Sequence, residues 1–506
     1  MNNKYFGIIY LSYKELKLKI FDLKKLTTIT TVAADINTVN QKENIYRDEF
    51  SDIIQNLKGF VRILKENGVD SYKMWGNRQL INDSDMRYLG EQIRVRTGLT
   101  VHWITENQLI YLKSISALEH LSKSLINEPS FLLLSYGSSS IALAKFTEGE
   151  FVANWQFDPD EQLNEEVVSS STTTTTNPTE ILDDIIGSAL TNVESRIPLS
   201  KESQTLVIQD AEFLNQVFLK DGATVCQLSP KKFKKIYDEV LTSPNQYLEE
   251  KYNSPNLNQT QLIADFILLW KIVRLTNVKK LMLTSISAMN GLAVQESMDQ
   301  NKIKRKYENM ILSAAEHMAD RYEVDVKHNQ NVIQTAMHIF DQMKKVHFLN
   351  NRDRLLLQLA GHLDDIGNFI NHANHFNNSA YIIKANKIIG LSNRENEILA
   401  EITRYHSVAS SSNRWGTEEH FKHLDPDIQL VVAKLAAILR LADSLDKSRE
   451  QKVKKINVSL KNDVMVIKAH TTEDLTLERW MFNRSAKLFE KVYGIRPVLK
   501  QRMINK

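Results

Sequence analysis

FLLLSYGSSSIALAKF, residues 131–146, joins the apolar run Phe131-Leu132-Leu133-Leu134 to the return segment IALAKF across the small polar residues SYGSSS. The run is short enough for a buried strand, so the stretch predicts strand, turn, strand. The chain opens in the same way. Phe6 to Leu11 and Leu16 to Asp22 read as two strands, and in the second Leu16, Leu18 and Ile20 alternate with Lys17 and Lys19, the period of a half-buried strand. One arrangement met twice predicts a duplicated fold.

Outward from these hairpins, strands and helices alternate. DEFSDIIQNLKGFVRILKENG places Phe50, Ile53, Ile54, Leu57, Val61 and Leu64 at helical spacing and stops at Gly68. Tyr72 to Trp75 and Thr100 to Ile104 read as strands, and about Glu106 to Glu119 as a helix. Helical patterns follow at Asp210 to Phe218, Pro230 to Leu241 and Thr260 to Leu275, and Lys279 to Thr284 reads as a closing strand. The class is α/β. The low-complexity stretch Ser169 to Asn177 reads equally as a strand edge or a solvent loop. From about Asp299 helical patterns continue to Arg449, and eleven of the 13 histidines lie beyond residue 300, which predicts a separate α-helical domain. KKINVSL, DVMVIKAH, a helix near Leu475 to Val492 and RPVLK predict a small α+β cap. The expected domains are 1–124, 125–298, 299–450 and 451–506, within the roughly two to four that 506 residues accommodate.

Composition narrows the function classes. Net charge is +3, from 64 basic and 61 acidic residues, which argues against dedicated nucleic-acid binding. The single cysteine, Cys226, excludes an intramolecular disulfide framework and any multi-cysteine metal site. No run of 18 apolar residues suggests a membrane span, and the N-terminus is broken by charge too early for a secretory leader, so the expectation is a cytoplasmic protein without membrane association. Glycine numbers only 16, where average usage near 7% gives about 35. Phosphate cradles lean on glycine for left-handed backbone and close N–H approach.

Two segments could carry chemistry on residue type alone. In SYGSSS, hydroxyls and backbone N–H groups could bind phosphate oxygens, although serines in loops commonly bond their own backbone. Glu106, in WITENQLIY, lies where a strand gives way to a helix and could orient a water, although a first-turn Glu is also favoured by the helix dipole.

The order of elements, with the hairpin at Ile8 to Phe21, WITENQLIY, LLLSYGSSSIALAKF, LIADFILLWKIV and MLTSISAMNGL, resembles the exopolyphosphatase and guanosine-pentaphosphate phosphohydrolase (Ppx/GppA) family. LAGHLDDIGNFI, HFNNSAYIIKANKI, ITRYH and ILRLADSLDKS resemble the HD-type domain of its longer members. The resemblance implies two ribonuclease-H-like domains of the actin, sugar-kinase and heat-shock ATPase superfamily, then an α-helical HD-like domain and a small α+β domain. It implies hydrolysis of terminal phosphoanhydride bonds of polyphosphate or guanosine pentaphosphate, with Mg2+ or Mn2+ and a carboxylate-activated water, and a homodimer.

The match departs from the family pattern at the chemistry. The first loop resembles D-[IL]-G-S-N-S and is here Tyr10-Leu11-Ser12-Tyr13-Lys14-Glu15; the second resembles D-I-G-G-G-S-T-E and retains Gly137 and Ser140 while Ser135 replaces the aspartate. Hard oxygen ligands for a cation are thereby lost. The arginine of A-T-S-A-L-R is met by Gln79, with Arg78 one residue earlier, and G-L-R-E-G becomes Ser287-Ala288-Met289-Asn290-Gly291. Within the resemblance, Glu106 stands as the water-positioning carboxylate, and Lys14, Gly137, Ser138, Ser139 and Ser140 as phosphate contacts.

In the helical region His328, Asp364, Asp365 and Asp443 resemble the H…HD…D metal-ligand set, Asp364 standing for the central histidine, and His375 and His406 match family histidines. His362 lies on another helical face. A carboxylate-rich site suits a hard cation, whereas adjacent carboxylates can also form a solvated helix surface. Three readings follow: an active phosphohydrolase, a catalytically inactive phosphate-binding, nucleotide-binding or regulatory protein that retains the fold, and a reaction relocated to the helical domain.

Overall fold

The opening hairpin forms where alternation predicts it. β1 (Tyr5–Leu11) pairs antiparallel with β2 (Glu15–Asp22), Leu11 opposite Leu16, and Leu16, Leu18 and Ile20 are buried while Lys17 and Lys19 are half-buried. The computed structural model describes residues 5–504 apart from 13–14, 37–46, 78–82, 126–127, 137–140, 158–177, 195–204, 210, 212–213, 216–217, 220–222, 253–258, 298–300 and 409–418. Lys14, Arg78, Gln79, Gly137, Ser138, Ser139, Ser140 and the stretch Ser169 to Asn177 lie outside the described residues, as does part of the expected helix at Asp210 to Phe218. The chain divides into two compact units, Met1–Met310 and Ile311–Lys506.

The first unit holds two sheets of mixed polarity. In one, β3 (Thr27–Asp35), β2 and β1 are antiparallel neighbours, and β4 (Tyr72–Asn77) and β5 (Val101–Ile104) extend the sheet in parallel. In the other, β6 (Ser130–Tyr136), β7 (Ile141–Thr147) and β8 (Glu150–Phe157) are antiparallel neighbours, and β9 (Thr205–Gln209) and β11 (Lys280–Thr284) extend it in parallel from β6, with β10 (Val225–Leu228) added antiparallel at the edge. Order and polarity repeat, giving a mixed α/β fold with a duplicated strand pattern. β3 lies between the opening hairpin and the first helix, where no strand is expected from the sequence. Its TTITTVAAD is too polar to read as core, but β-branched threonines suit a partly exposed edge strand.

Helices cover the sheets by the stripes that predict them. Phe50, Ile53, Leu57 and Leu64 of the helix Arg47–Glu66 pack into one core with Leu16, Leu18 and Ile20, each such fully buried side chain contributing roughly 1.5–3 kcal/mol. Helix Glu106–His120 packs on helix Ala288–Ser297, and Gly291 is the reason they come so close: a Cβ there would lie 2.0 Å from the Leu112 carbonyl oxygen.

In the second unit the helix Pro426–Ser444 is buried almost all round from Val432 onward, as its apolar LVVAKLAAILRLA requires, and it packs on helices Val326–Gln342, Asn351–Leu363, Asn393–Arg404 and Thr476–Tyr493. The last of these covers a three-stranded sheet, β12 (Val453–Lys461), β13 (Val464–Thr471) and β14 (Arg496–Met503), with β14 parallel to β13 at an edge. Among the described residues no helix is long and apolar enough to cross a membrane.

Candidate metal centre

Asp364 and Asp365 follow the helix Asn351–Leu363 and lead into a tight turn, Ile366–Phe369. Ser379 locks that turn: its hydroxyl donates to the Asp364 carbonyl at 2.6 Å and accepts from the Gly367 N–H at 2.9 Å. A Cβ on Gly367 would lie 2.0 Å from the His375 carbonyl oxygen, so only glycine lets the turn approach the helix His375–Ala385 this closely and brings His375 beside Asp365. His406 sits just past the helix Asn393–Arg404, on a turn held by Arg440 Nε, which donates to the Tyr405 carbonyl at 2.5 Å. His328 enters from the first turn of the helix Val326–Gln342, capped by Asp325, and Asp443 from the last turn of Pro426–Ser444.

These elements converge on Asp365. Its Oδ1 faces His375 Nε2 at 3.8 Å and His406 Nε2 at 4.0 Å, and the two Nε2 atoms are 3.2 Å apart. Each imidazole has its Nδ1 against a backbone carbonyl, His375 on His372 at 2.8 Å and His406 on Thr403 at 2.5 Å. A carbonyl only accepts, so Nδ1 carries a proton in both rings and both Nε2 atoms face the carboxylate and each other. A proton or a metal cation between the two Nε2 atoms satisfies both. Asp365, His375 and His406 could hold a metal ion.

The other oxygen of Asp365 faces a second set of groups. The Arg449 guanidinium bonds Asp365 Oδ2. His328 Nε2 lies 3.9 Å from that oxygen and 3.4 Å from Asp443 Oδ1, while His328 Nδ1 is bonded to Asp446 Oδ2 at 2.9 Å. Lys447 Nζ reaches Asp443 Oδ2 at 3.3 Å. Asp364 is 2% exposed, and its Oδ1 has no hydrogen-bond partner among the described residues.

Protonation follows from burial and neighbours. Burial lowers the His328 pKa, but its bonds to Asp443 and Asp446 outweigh this and raise it to about 10. Burial, reinforced by His375, pushes His406 down to about 4, leaving its Nε2 lone pair available. Burial and the charge of Asp365 push Asp364 well above the usual carboxylate range. Burial also acts upward on Asp365 and Asp443, but Arg449 and His406 hold Asp365 low, and Lys447 and His328 hold Asp443 low.

Of the residues expected from the sequence, His328, Asp365 and Asp443 come together, with Asp364 buried beside Asp365. His362 does not join them; its Nε2 lies 3.7 Å from Glu316. Arg449, Lys447, Gly367 and Ser379 contact or shape this centre and are missed by pattern reasoning. Lys447 had a signal, four residues after Asp443 on the same face; Arg449 had none, because it reaches back across a turn.

The loop ends of the first unit are built differently. Ser12 N–H and Oγ both donate to the Glu15 carbonyl, and Glu15 N–H donates to Ser12 Oγ, so these groups bond one another. Ser135 is buried and donates to Gln209 Oε1 at 3.4 Å; Gln209 Nε2 donates to Ser116 Oγ at 2.9 Å and to the Ile286 carbonyl at 2.7 Å. Glu106 is half-buried at the first position of its helix, where Thr105 and Gln108 form the capping box.

The molecule is thus a mixed α/β protein with a buried carboxylate and histidine centre in a helical unit. Residues 312–487 match the family described as Ppx/GppA phosphatase, domain III. Similar solved structures include a Ppx/GppA family member from Aquifex aeolicus, at 15% identity and a TM-score of 0.49, covering 59% of this chain and 98% of that one. Another is an exopolyphosphatase from Cytophaga hutchinsonii, at 15% identity and a TM-score of 0.48, covering 59% of this chain and 99% of that one. The similarity to the Ppx/GppA family is distant, at low identity and partial coverage.

Proposed function

We propose that the protein is a divalent-cation-dependent phosphohydrolase whose cation is held by Asp365, His375 and His406. Family-level similarity over residues 312–487 supports a phosphohydrolase-type role in general, and the convergence of two Nε2 atoms on Asp365 Oδ1 carries the assignment of the site. Two imidazoles and a carboxylate fit Mn2+, which accepts nitrogen ligands more readily, better than Mg2+, which prefers an all-oxygen shell. When bound, a divalent cation supplies Lewis-acid polarisation of a phosphoryl oxygen.

The chain's own residues supply the rest. The carbonyls of His372 and Thr403 keep the two imidazoles in the ligating tautomer, and Asp364, its pKa raised by burial and Asp365, is available as a proton donor beside the site. Substrates to test first are polyphosphate and guanosine pentaphosphate, cleaved at a terminal phosphoanhydride bond. In this reading residues 1–298 form the paired ribonuclease-H-like domains, the helical part is HD-like, Glu106 would position the water, and Lys14, Gly137, Ser138, Ser139 and Ser140 would contact phosphate.

A second reading, a phosphate-binding or regulatory protein without turnover, is favoured by Ser12 and Ser135, whose hydroxyls bond their own protein. Phosphate release is to be measured from long-chain polyphosphate, guanosine pentaphosphate and an aryl phosphomonoester over Mg2+ and Mn2+ series. Release lost in H375A/H406A and kept in Glu106→Gln supports the helical site. Loss in Glu106→Gln with retention in H375A/H406A overturns it, and saturable binding without release supports the second reading.

A further inference from the structure

Asp365 has two oxygens and two neighbourhoods. Oδ1 belongs to the His375 and His406 side. Oδ2, with His328 and Asp443 Oδ1, outlines a second place of the same residue types, with Asp446 orienting His328 from behind. That second place already meets positive charge from the chain itself: Arg449 on Asp365 Oδ2 and Lys447 on Asp443 Oδ2.

We infer that Arg449, assisted by Lys447, is a built-in cation that fills the second position beside Asp365 and limits this centre to a single metal ion. The inference rests on the cation site proposed above. The turn that delivers Arg449 is held for the purpose. Arg449 and Gln451 adopt left-handed backbone, φ 59° and 48°, which side-chain-bearing residues keep only when their surroundings enforce it. Asp446 enforces it: its carbonyl accepts from Arg449 N–H at 2.9 Å, its Oδ1 from Gln451 N–H at 2.7 Å and its Oδ2 from Gln451 Nε2 at 3.2 Å. Ser448 N–H is tied to Glu478 Oε1 at 3.2 Å. The residue that orients His328 therefore also anchors the arginine's turn, and the second pocket and its occupant are one construction. Arg449 is a positioning residue with respect to any reaction, since it acts through the carboxylate it holds.

The test is the number of Mn2+ ions bound per full-length chain after equilibrium dialysis, read by elemental analysis. Wild type is expected to bind one. Arg449→Met, close in shape and uncharged, is expected to bind two, and H375A/H406A none. Two ions in wild type, or one in a folded Arg449→Met, overturns the role of Arg449 and leaves the site standing. If Arg449→Met does not fold, H375A/H406A decides: an ion retained there means the second pocket takes metal with Arg449 in place, which overturns the inference. No ion in either wild type or Arg449→Met overturns the underlying site instead.

Discussion

Two places in this chain have polar side chains at the end of a strand or helix where chemistry is expected, and they are finished in opposite ways. At the hairpin ends of the first unit, the described polar groups satisfy one another: Ser12 with Glu15, Ser135 with Gln209. In the helical unit, Asp365, His375 and His406 converge on a common centre, and Arg449 closes the Oδ2 side of Asp365. Buried donors and acceptors that are paired internally stabilise the protein, and those left converging call for a ligand. The comparison teaches that residue type at a motif position decides less than where its hydrogen bonds end.

The comparison is broken most severely by removing the imidazoles. H375A/H406A should weaken Mn2+ binding by at least about 100-fold, measured by titration calorimetry, while any phosphate binding of the first unit is unchanged. Paired glycine variants come next. Gly367→Ala and Gly291→Ala each force a Cβ to 2.0 Å from a carbonyl oxygen, and each should cost about 1–3 kcal/mol or more in denaturant unfolding; only Gly367→Ala should also lose the ion, because only it displaces His375.

A third variant probes the closed region. Gln209→Leu leaves Ser116 Oγ and the Ile286 carbonyl buried without their donor, at about 1–3 kcal/mol, with Mn2+ affinity unchanged. An equal loss of affinity would mean that the two regions are not independent.

The smallest expected effect concerns pH, away from the site. His347 Nε2–H donates to the Phe340 carbonyl at 3.0 Å and its Nδ1 accepts from Leu349 N–H at 2.9 Å, and burial holds its pKa below the ordinary 6.5. The unfolded chain therefore takes up this proton first as pH falls. The stability His347 supports is present in full above pH 6.5 and is lost as pH falls from there through the lowered folded value. Urea midpoints at pH 7.5 and 5.5 should converge in His347→Gln relative to wild type; an equal drop in both would remove His347 from the account.

The fold was largely legible because apolar spacing is a local signal. Leu16, Leu18 and Ile20 announce β2, and Phe50, Ile53 and Leu57 announce their helix. β3 escaped because threonines on a partly exposed edge carry no apolar alternation. The site was half legible. His328, Asp365 and Asp443 emerge as a resemblance, and His375 and His406 as histidines of the same pattern, but nothing local says that both rings donate Nδ1–H to carbonyls and aim Nε2 inward. Arg449 was illegible, because its meeting with Asp365 spans 84 residues and depends on a left-handed turn.

The central claim is that Asp365, His375 and His406 hold the cation. Electron spin echo envelope modulation of the Mn2+-loaded full-length protein detects nitrogen bonded directly to the ion. The account predicts coupling to two imidazole nitrogens in wild type, to one in His406→Ala and to none in H375A/H406A. Nitrogen coupling that persists in H375A/H406A, or none in the wild type at saturating Mn2+, would contradict it.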